Sequence, residues 1–309
     1  MNLQQLRILR EAVRADFNLT EVASRLFTAQ SGVSKHIKDL EDELGVALFV
    51  RKGKRLLDLT EPGRDILPLV ERILLDTHNI QRVAEQFGSK DEGRLAVGTT
   101  HTQARYALPG VISRFTQRFP GVHLELHQCS PTELTALLHD GRVDIGIATE
   151  GLRHEAGLVS FPYYRWRHAV IVPRGHPLAQ LPAPTLADVA GYPLITYHSG
   201  YTGRASIDAA FACMGLRPRI VMSALDADVI KSYVEIGLGI GIVASMAYHP
   251  ERDSGLEILP GDDWFETNTT WISLRRGHYL RDFALEFIAM CSPSLEPRTV
   301  RDAVFPQPA

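Results

Sequence analysis

Residues 18–40 read Asn-Leu-Thr-Glu-Val-Ala-Ser-Arg-Leu-Phe-Thr-Ala-Gln-Ser-Gly-Val-Ser-Lys-His-Ile-Lys-Asp-Leu. The pattern is two short helices with a tight break. Leu19, Val22, Ala23 and Leu26 recur at helical spacing and give the first helix one apolar face. Thr28 is a candidate cap for the second, whose inward face is Val33, Ile37 and Leu40. The opposite face offers Gln30, Ser31, Ser34, Lys35 and Lys38. Amide, hydroxyl and ammonium groups of this kind reach base edges and phosphates in a major groove. No acidic residue interrupts Leu26 to Lys38, so nothing there repels a polyanion. An ordinary solvated helix pair would also fit this pattern alone.

The next segment favours DNA. Arg51-Lys52-Gly53-Lys54-Arg55 lies between the apolar runs 47–50 and 56–59. That reads as a hairpin with a basic tip. A hairpin beside a helix-turn-helix is a wing, and its charges add salt-dependent affinity for the DNA backbone. Thr28, Gln30, Ser31, Ser34, Lys35, Lys38, Arg51, Lys52, Lys54 and Arg55 are therefore the expected DNA-facing groups.

These residues carry a resemblance. Leu3-Gln4-Gln5-Leu6, Leu19-Thr20-Glu21-Val22-Ala23, Ser34-Lys35-His36-Ile37, Leu40 to Gly45, Leu48-Phe49 and Thr60-Glu61-Pro62-Gly63 resemble the N-terminal domain of LysR-type transcriptional regulators. Ser31-Gly32 departs from relatives that place a proline after the glutamine, which leaves the helix start less rigid.

The 309 residues allow about two to three domains, and a 45% hydrophobic content is enough for real cores. No run approaches the roughly 18 to 20 apolar residues of a membrane span. The N-terminus lacks a signal-peptide core, which points to the cytoplasm. Cys129, Cys213 and Cys291 are far apart, so neither a metal site nor a disulfide framework is expected. A net charge of -3 restricts any nucleic-acid contact to local basic patches.

Residues 60–87 read as one helix with Thr60 as cap. Ile66, Val70, Ile73, Thr77, Ile80, Ala84 and Phe87 alternate steps of four and three, a coiled-coil seam that implies a homodimer or homotetramer. Pro68 should kink this helix or delay its start. Two copies of the head imply a near-palindromic promoter site on double-stranded DNA.

Beyond a polar linker at 88–93, strands and helices alternate. The order fits two α/β lobes joined by crossovers near 162–168 and 265–269, with the Pro-rich tail after Ser292 frayed. The expected architecture is a winged helix-turn-helix domain (1–59), a linker helix (60–87) and a two-lobed α/β effector-binding domain (93–309). Lobe I takes 93–163 and 268–292, and lobe II takes 164–267. The two-lobed part resembles a periplasmic solute-binding protein, which would be the alternative class if the N-terminal head were absent.

Three donor-rich ends face the expected cleft. Thr100, Thr102 and Gln103 follow the first strand of lobe I, Thr149 follows another, and Thr202 sits in a Gly-containing turn that opens a helix of lobe II. Helix N-termini and hydroxyls suit a small anion, and ligands of open α/β sheets lie beyond strand carboxyl ends. Each threonine singly could be a plain helix cap. No hydrolase, zinc-protease or nucleotide-loop motif is present. His101 is the one candidate base beside a hydroxyl, and no orienting acid is apparent. No enzyme activity and no cofactor are expected.

Thr99 to Pro109, Ala148-Thr149-Glu150, Tyr201 to Arg204 and Asp226 to Lys231 further resemble the CysB branch of the family. That resemblance implies control of cysteine biosynthesis and sulfur assimilation, contact with RNA polymerase, and a cleft for sulfate, thiosulfate or an acylserine. Relatives controlling alkanesulfonate or sulfate-ester use share these motifs. Cys129, where a glycine is usual, is a departure in the pocket wall.

Overall fold

A computed structural model describes residues 1–53, 55–261 and 263–305. Lys54, expected at the wing tip, lies outside them. The chain forms two compact units, Met1–Ala84 and Glu85–Ala309.

The first unit opens with α1 (Leu3–Arg14), capped by Asn2 through a reciprocal pair with Gln5. Then come α2 (Leu19–Arg25), α3 (Gln30–Leu44), β1 (Phe49–Lys52), β2 (Arg55–Leu59) and α4 (Glu61–Gly88). Leu6, Ile8, Leu9 and Ala12 of α1 pack against Leu19, Val22 and Ala23 of α2 and Val33, Ile37 and Leu40 of α3. The helical spacing therefore selects the buried faces as expected. One detail differs. The cap residue of α3 is Ala29, which gives no side-chain bond, and Thr28 stays exposed outside the helix. Phe27, at φ +50°, makes the break between α2 and α3.

Helix α4 keeps its expected cap and departs from expectation in two ways. Thr60 caps it through the Gly63 N–H at 3.1 Å, and the helix runs through Pro68 without a later start. Burial explains this. Val70 and Leu74 are buried in the core of the head, with Ile66 and Leu67 packed against it, so both sides of the proline are anchored. The same contacts remove Ile66 and Val70 from the expected seam. Ile73, Ile80 and Phe87 remain exposed.

The second unit holds two sheets. Its elements begin with β3 (Glu92–Thr99), a π-helical turn (Gln103–Ala107), α5 (Pro109–Arg118), β4 (Gly121–Gln128), α6 (Pro131–His139), β5 (Ile145–Ala148) and β6 (Leu158–Trp166). They continue with β7 (His168–Pro173), α7 (Leu186–Ala190), β8 (Leu194–Tyr197), α8 (Arg204–Cys213), β9 (Ile220–Ala224), α9 (Ala227–Glu235) and β10 (Ile240–Ala244). The last are β11 (Leu256–Ile258), β12 (Asn268–Arg275), α10 (Asp282–Cys291) and α11 (Pro297–Val304). Lobe I carries the order β4-β3-β5-β12-β6, and lobe II carries β11-β7-β10-β8-β9. Strands β3, β4 and β5 are parallel, as a βαβαβ run requires, and β12 returns antiparallel to both β5 and β6. The chain passes from lobe I to lobe II at Arg167, between β6 and β7, and comes back before Asn268.

The tail is not frayed as far as Phe305. Val300 and Val304 of α11 are fully buried in the core of lobe I with Phe283, Phe287 and Ile288 of α10. The proline that suggests a loose tail, Pro297, opens this helix, a position where its missing N–H costs nothing.

Candidate functional site

In the head, Thr28, Gln30, Ser31, Lys35 and Lys38 are exposed and Ser34 is half-buried. The wing is a tight hairpin with Lys52 opposite Arg55 and Gly53 at φ +63°. Glu41 holds its base. One carboxylate oxygen accepts the Leu48 and Phe49 N–H groups at 2.8 and 3.2 Å, and the other takes the Arg51 guanidinium at 2.7 Å. Arg51 is therefore partly committed to the fold. Lys52 and Arg55 are exposed cations.

The cleft lies where strand ends of the two lobes meet. After β3, Thr100, Thr102 and Gln103 are buried. The π-turn widens the backbone here, closing with the Leu108 N–H on the Gln103 carbonyl at 3.0 Å, before Pro109 starts α5. The Tyr164 hydroxyl donates to Gln103 Oε1, leaving the amide NH₂ as a donor. After β5, Thr149 is half-buried, its hydroxyl 3.4 Å from that of Thr270, which also accepts the Trp166 indole N–H at 3.1 Å. From lobe II, the Thr202 hydroxyl comes within 3.4 Å of the Thr102 hydroxyl.

The turn carrying Thr202 is constrained. Gly200, Thr202 and Gly203 all have positive φ, +82°, +44° and +68°. A β-branched residue rarely adopts this conformation. His168 holds it in place, its Nε2–H donating to the Thr202 carbonyl at 2.8 Å. A Cβ at residue 203 would lie 2.6 Å from Asn268 Oδ1 and 2.8 Å from His168 Cε1, so only glycine fits. Burial pulls the His168 imidazole down to about 4, against the Thr202 bond. It is neutral at physiological pH.

Two acids complete the cleft. Glu150 Oε1 accepts the Gly203 N–H, and its Oε2 is sealed from solvent without a hydrogen-bond partner. Burial raises its pKa above the ordinary carboxylate value, opposed by the main-chain N–H groups of Gly203, Glu150 and Thr202. Asp228, near the start of α9, accepts the Tyr106 hydroxyl at 2.8 Å and lies 3.5 Å from Arg105 and 3.4 Å from Lys231. Burial pushes it up, but Tyr106, Lys231 and Arg105 together bring it below its ordinary value. Its other oxygen is 4.0 Å from His101 Nε2, so an acid does stand near that histidine. His101, Asp226 and Asp228 cluster closely enough to hold a metal ion. The bonds of Asp228 to Tyr106 and to two cations account for its position without one.

The comparisons with known proteins agree on the class. Residues 3–64 match the family described as bacterial regulatory helix-turn-helix protein, lysR family, and residues 88–296 match the LysR substrate binding domain. The chain belongs to the LysR family of transcriptional regulators.

This LysR-type regulator is 55% identical over 295 residues to the HTH-type transcriptional regulator SsuR of Burkholderia cenocepacia, covering 96% of each chain. It is 49% identical over 304 residues to the HTH-type transcriptional regulator CysB of the same organism, covering 98% of this chain and 97% of that protein. Among solved structures, the cofactor-binding domain of the Cbl transcriptional regulator superposes with a TM-score of 0.68 at 45% identity, covering 70% of this chain and 95% of that chain. The regulator is thus of the CysB, Cbl and SsuR type, and these relatives are regulators rather than enzymes. No helix among the described residues is long and apolar enough to cross a membrane.

Of the expected cleft residues, Thr102 and Thr202 meet directly, and Thr100 and Gln103 are buried beside Thr102 in the chain. Thr149 reaches Thr270 instead. Glu150 and Thr270 escape the sequence reading, whereas Tyr164 reads as hinge packing at the first crossover and Asp228 as an ordinary carboxylate at a helix start. An acid beside an anion site runs against simple charge matching, and Glu150 and Thr270 find their partners far away in the chain. The short strand-end motif Ala148-Thr149-Glu150 is the only sequence signal for Glu150.

Proposed function

We propose that this LysR-type regulator acts in the cytoplasm as a homodimer or homotetramer on promoter DNA of sulfur-assimilation and cysteine-biosynthesis genes. It engages RNA polymerase there. Its effector is a small oxyanion or acylserine (sulfate, thiosulfate or acetylserine) held between the lobes by Thr100, Thr102, Gln103, Thr149 and Thr202. The observation that carries the reading is the pairing of buried hydroxyls from opposite lobes, Thr102 and Thr202, beside a main-chain turn of positive φ. Such donors recognise an oxyanion by hydrogen bonds alone. A ligand that touches both lobes favours one lobe arrangement over others, which is what a switch requires.

Removing a hydroxyl donor to a bound anion costs roughly 1 to 3 kcal/mol, or about five- to a hundredfold in affinity. Thr100→Val and Thr202→Val should therefore weaken effector binding in isothermal titration and leave DNA binding without added effector intact in a gel shift. Wild-type affinity for sulfate, thiosulfate and acetylserine in both variants would remove the cleft as the effector site. Control of alkanesulfonate or sulfate-ester use is the second reading, supported by the shared cleft motifs. Gel shifts with promoters of each class separate the two.

A further inference from the structure

The Thr202–Gly203 turn has the form of an anion cradle. Gly200, Thr202 and Gly203 have positive φ just before the ten-residue helix α8, and the Gly203 N–H is directed at a carboxylate. His168 bonds the Thr202 carbonyl, and Asn268 and His168 pack close against Gly203, which helps to hold the turn. In front is a carboxylate of this same chain. Glu150 crosses from lobe I, gives one oxygen to the Gly203 N–H and keeps the other buried with no partner. Buried carboxylates ordinarily satisfy both oxygens, because an unpaired one keeps its desolvation cost. Here Glu150 takes up cradle donors at that cost, beside the hydroxyls of Thr102 and Thr202.

We infer that Glu150 is an internal competitor of the effector: its carboxyl and an incoming oxyanion contend for the same cradle N–H groups, and this competition sets the affinity. The inference rests on the cleft being the effector site. An oxyanion that enters must displace the carboxyl from Gly203 or bind close to a second negative charge, and either lowers affinity. The cradle is then matched to a weak, concentration-sensing response rather than to tight capture. Displacement also breaks a bond between the lobes, so occupancy and lobe contact are linked through one side chain.

The test uses the full-length protein and isothermal titration with sulfate, thiosulfate and acetylserine. Glu150→Gln keeps the shape and removes the charge, and should bind sulfate and thiosulfate about tenfold or more tightly than wild type, a gain of about 1.4 kcal/mol. Should Glu150→Gln not fold, Glu150→Ala is read in the same way. Unchanged or weaker oxyanion binding overturns the competition. Thr202→Val, measured beside it, separates the two claims. If Thr202→Val loses binding while the Glu150 variant gains none, the cleft stands and the competition falls. If Thr202→Val and Thr100→Val both bind as wild type, or if none of the three ligands binds any form, the cleft reading falls and the inference with it.

Discussion

His168 shows how one buried side chain supports a binding turn. Its ring is only 2% exposed, and its neutral form serves both neighbours. Nε2–H donates to the Thr202 carbonyl, and Nδ1 faces the Asn268 amide at 3.4 Å. The folded imidazole titrates near 4 and the unfolded one near 6.5. As pH falls below 6.5 the unfolded chain takes up the proton first, so the stability held above that pH is lost progressively and is gone near 4. This one group should remove roughly 2 kcal/mol between about pH 7 and pH 5. Equilibrium unfolding across that window should show a shallower pH slope in His168→Gln than in wild type. Equal slopes would mean that the ring is not held neutral. From sequence, this histidine is just a polar residue shortly after a tryptophan, at the start of an apolar run. Thr100, Thr102 and Thr149 stand out in the sequence because they follow strand ends, and Thr202 because it lies in a Gly-containing turn before a helix. His168 and Glu150 do not, since their partners lie 34 and 53 residues away.

Among the elements, the wing separates holding from reading. Lys52 and Arg55 face each other on adjacent strands and are exposed, whereas Arg51 is paired with Glu41. Replacing Lys52 and Arg55 together by Ala should weaken binding to all DNA sequences alike. The log–log salt slope should fall by about 0.9 for each phosphate that is no longer neutralised. Arg51→Ala should change that slope less and loosen the wing base more. Titrations at several salt concentrations decide it, and a change in base preference in the double variant would contradict a backbone role. The hairpin is legible because two apolar runs flank a glycine. Strand β6 is less so. Its Pro162 lacks an N–H and reads as a break, but β6 is an edge strand, where proline is tolerated. Its ladder with β12 shifts register between Thr270 and Trp271, opposite Pro162. The cap of α3 departs from the sequence pattern for a local reason: Thr28 has the right side chain, but the backbone turns one residue later.

For the molecule as a whole, the unmatched surface on α4 is the main clue to assembly. Ile73, Ile80 and Phe87 recur at heptad spacing, with Ile80 71% and Phe87 80% exposed. Covering a side chain of this size stabilises by about 1.5 to 3 kcal/mol, and a second copy of the same stripe would do so symmetrically. A buried glutamate without a partner reverses that gain. Ile80→Glu should shift sedimentation toward the monomer, while Val70→Ala, buried in the head, should lower stability and leave assembly unchanged. Identical assembly in wild type and Ile80→Glu would dismiss the stripe. The sequence pattern marks all the seam positions alike. Periodicity reports that a face is apolar, and only the tertiary fold divides that face between the chain's own core and another surface.

Helix α11 carries a different consequence, for where this protein can be cut. Similarity to the LysR substrate binding domain stops at residue 296, just before the helix begins at Pro297. A fragment trimmed to that border would lose Val300 and Val304 from among the phenylalanines of α10, leaving an oily hollow on lobe I. The border of that domain match and the border of the folded body do not coincide, and the last helix belongs to the body.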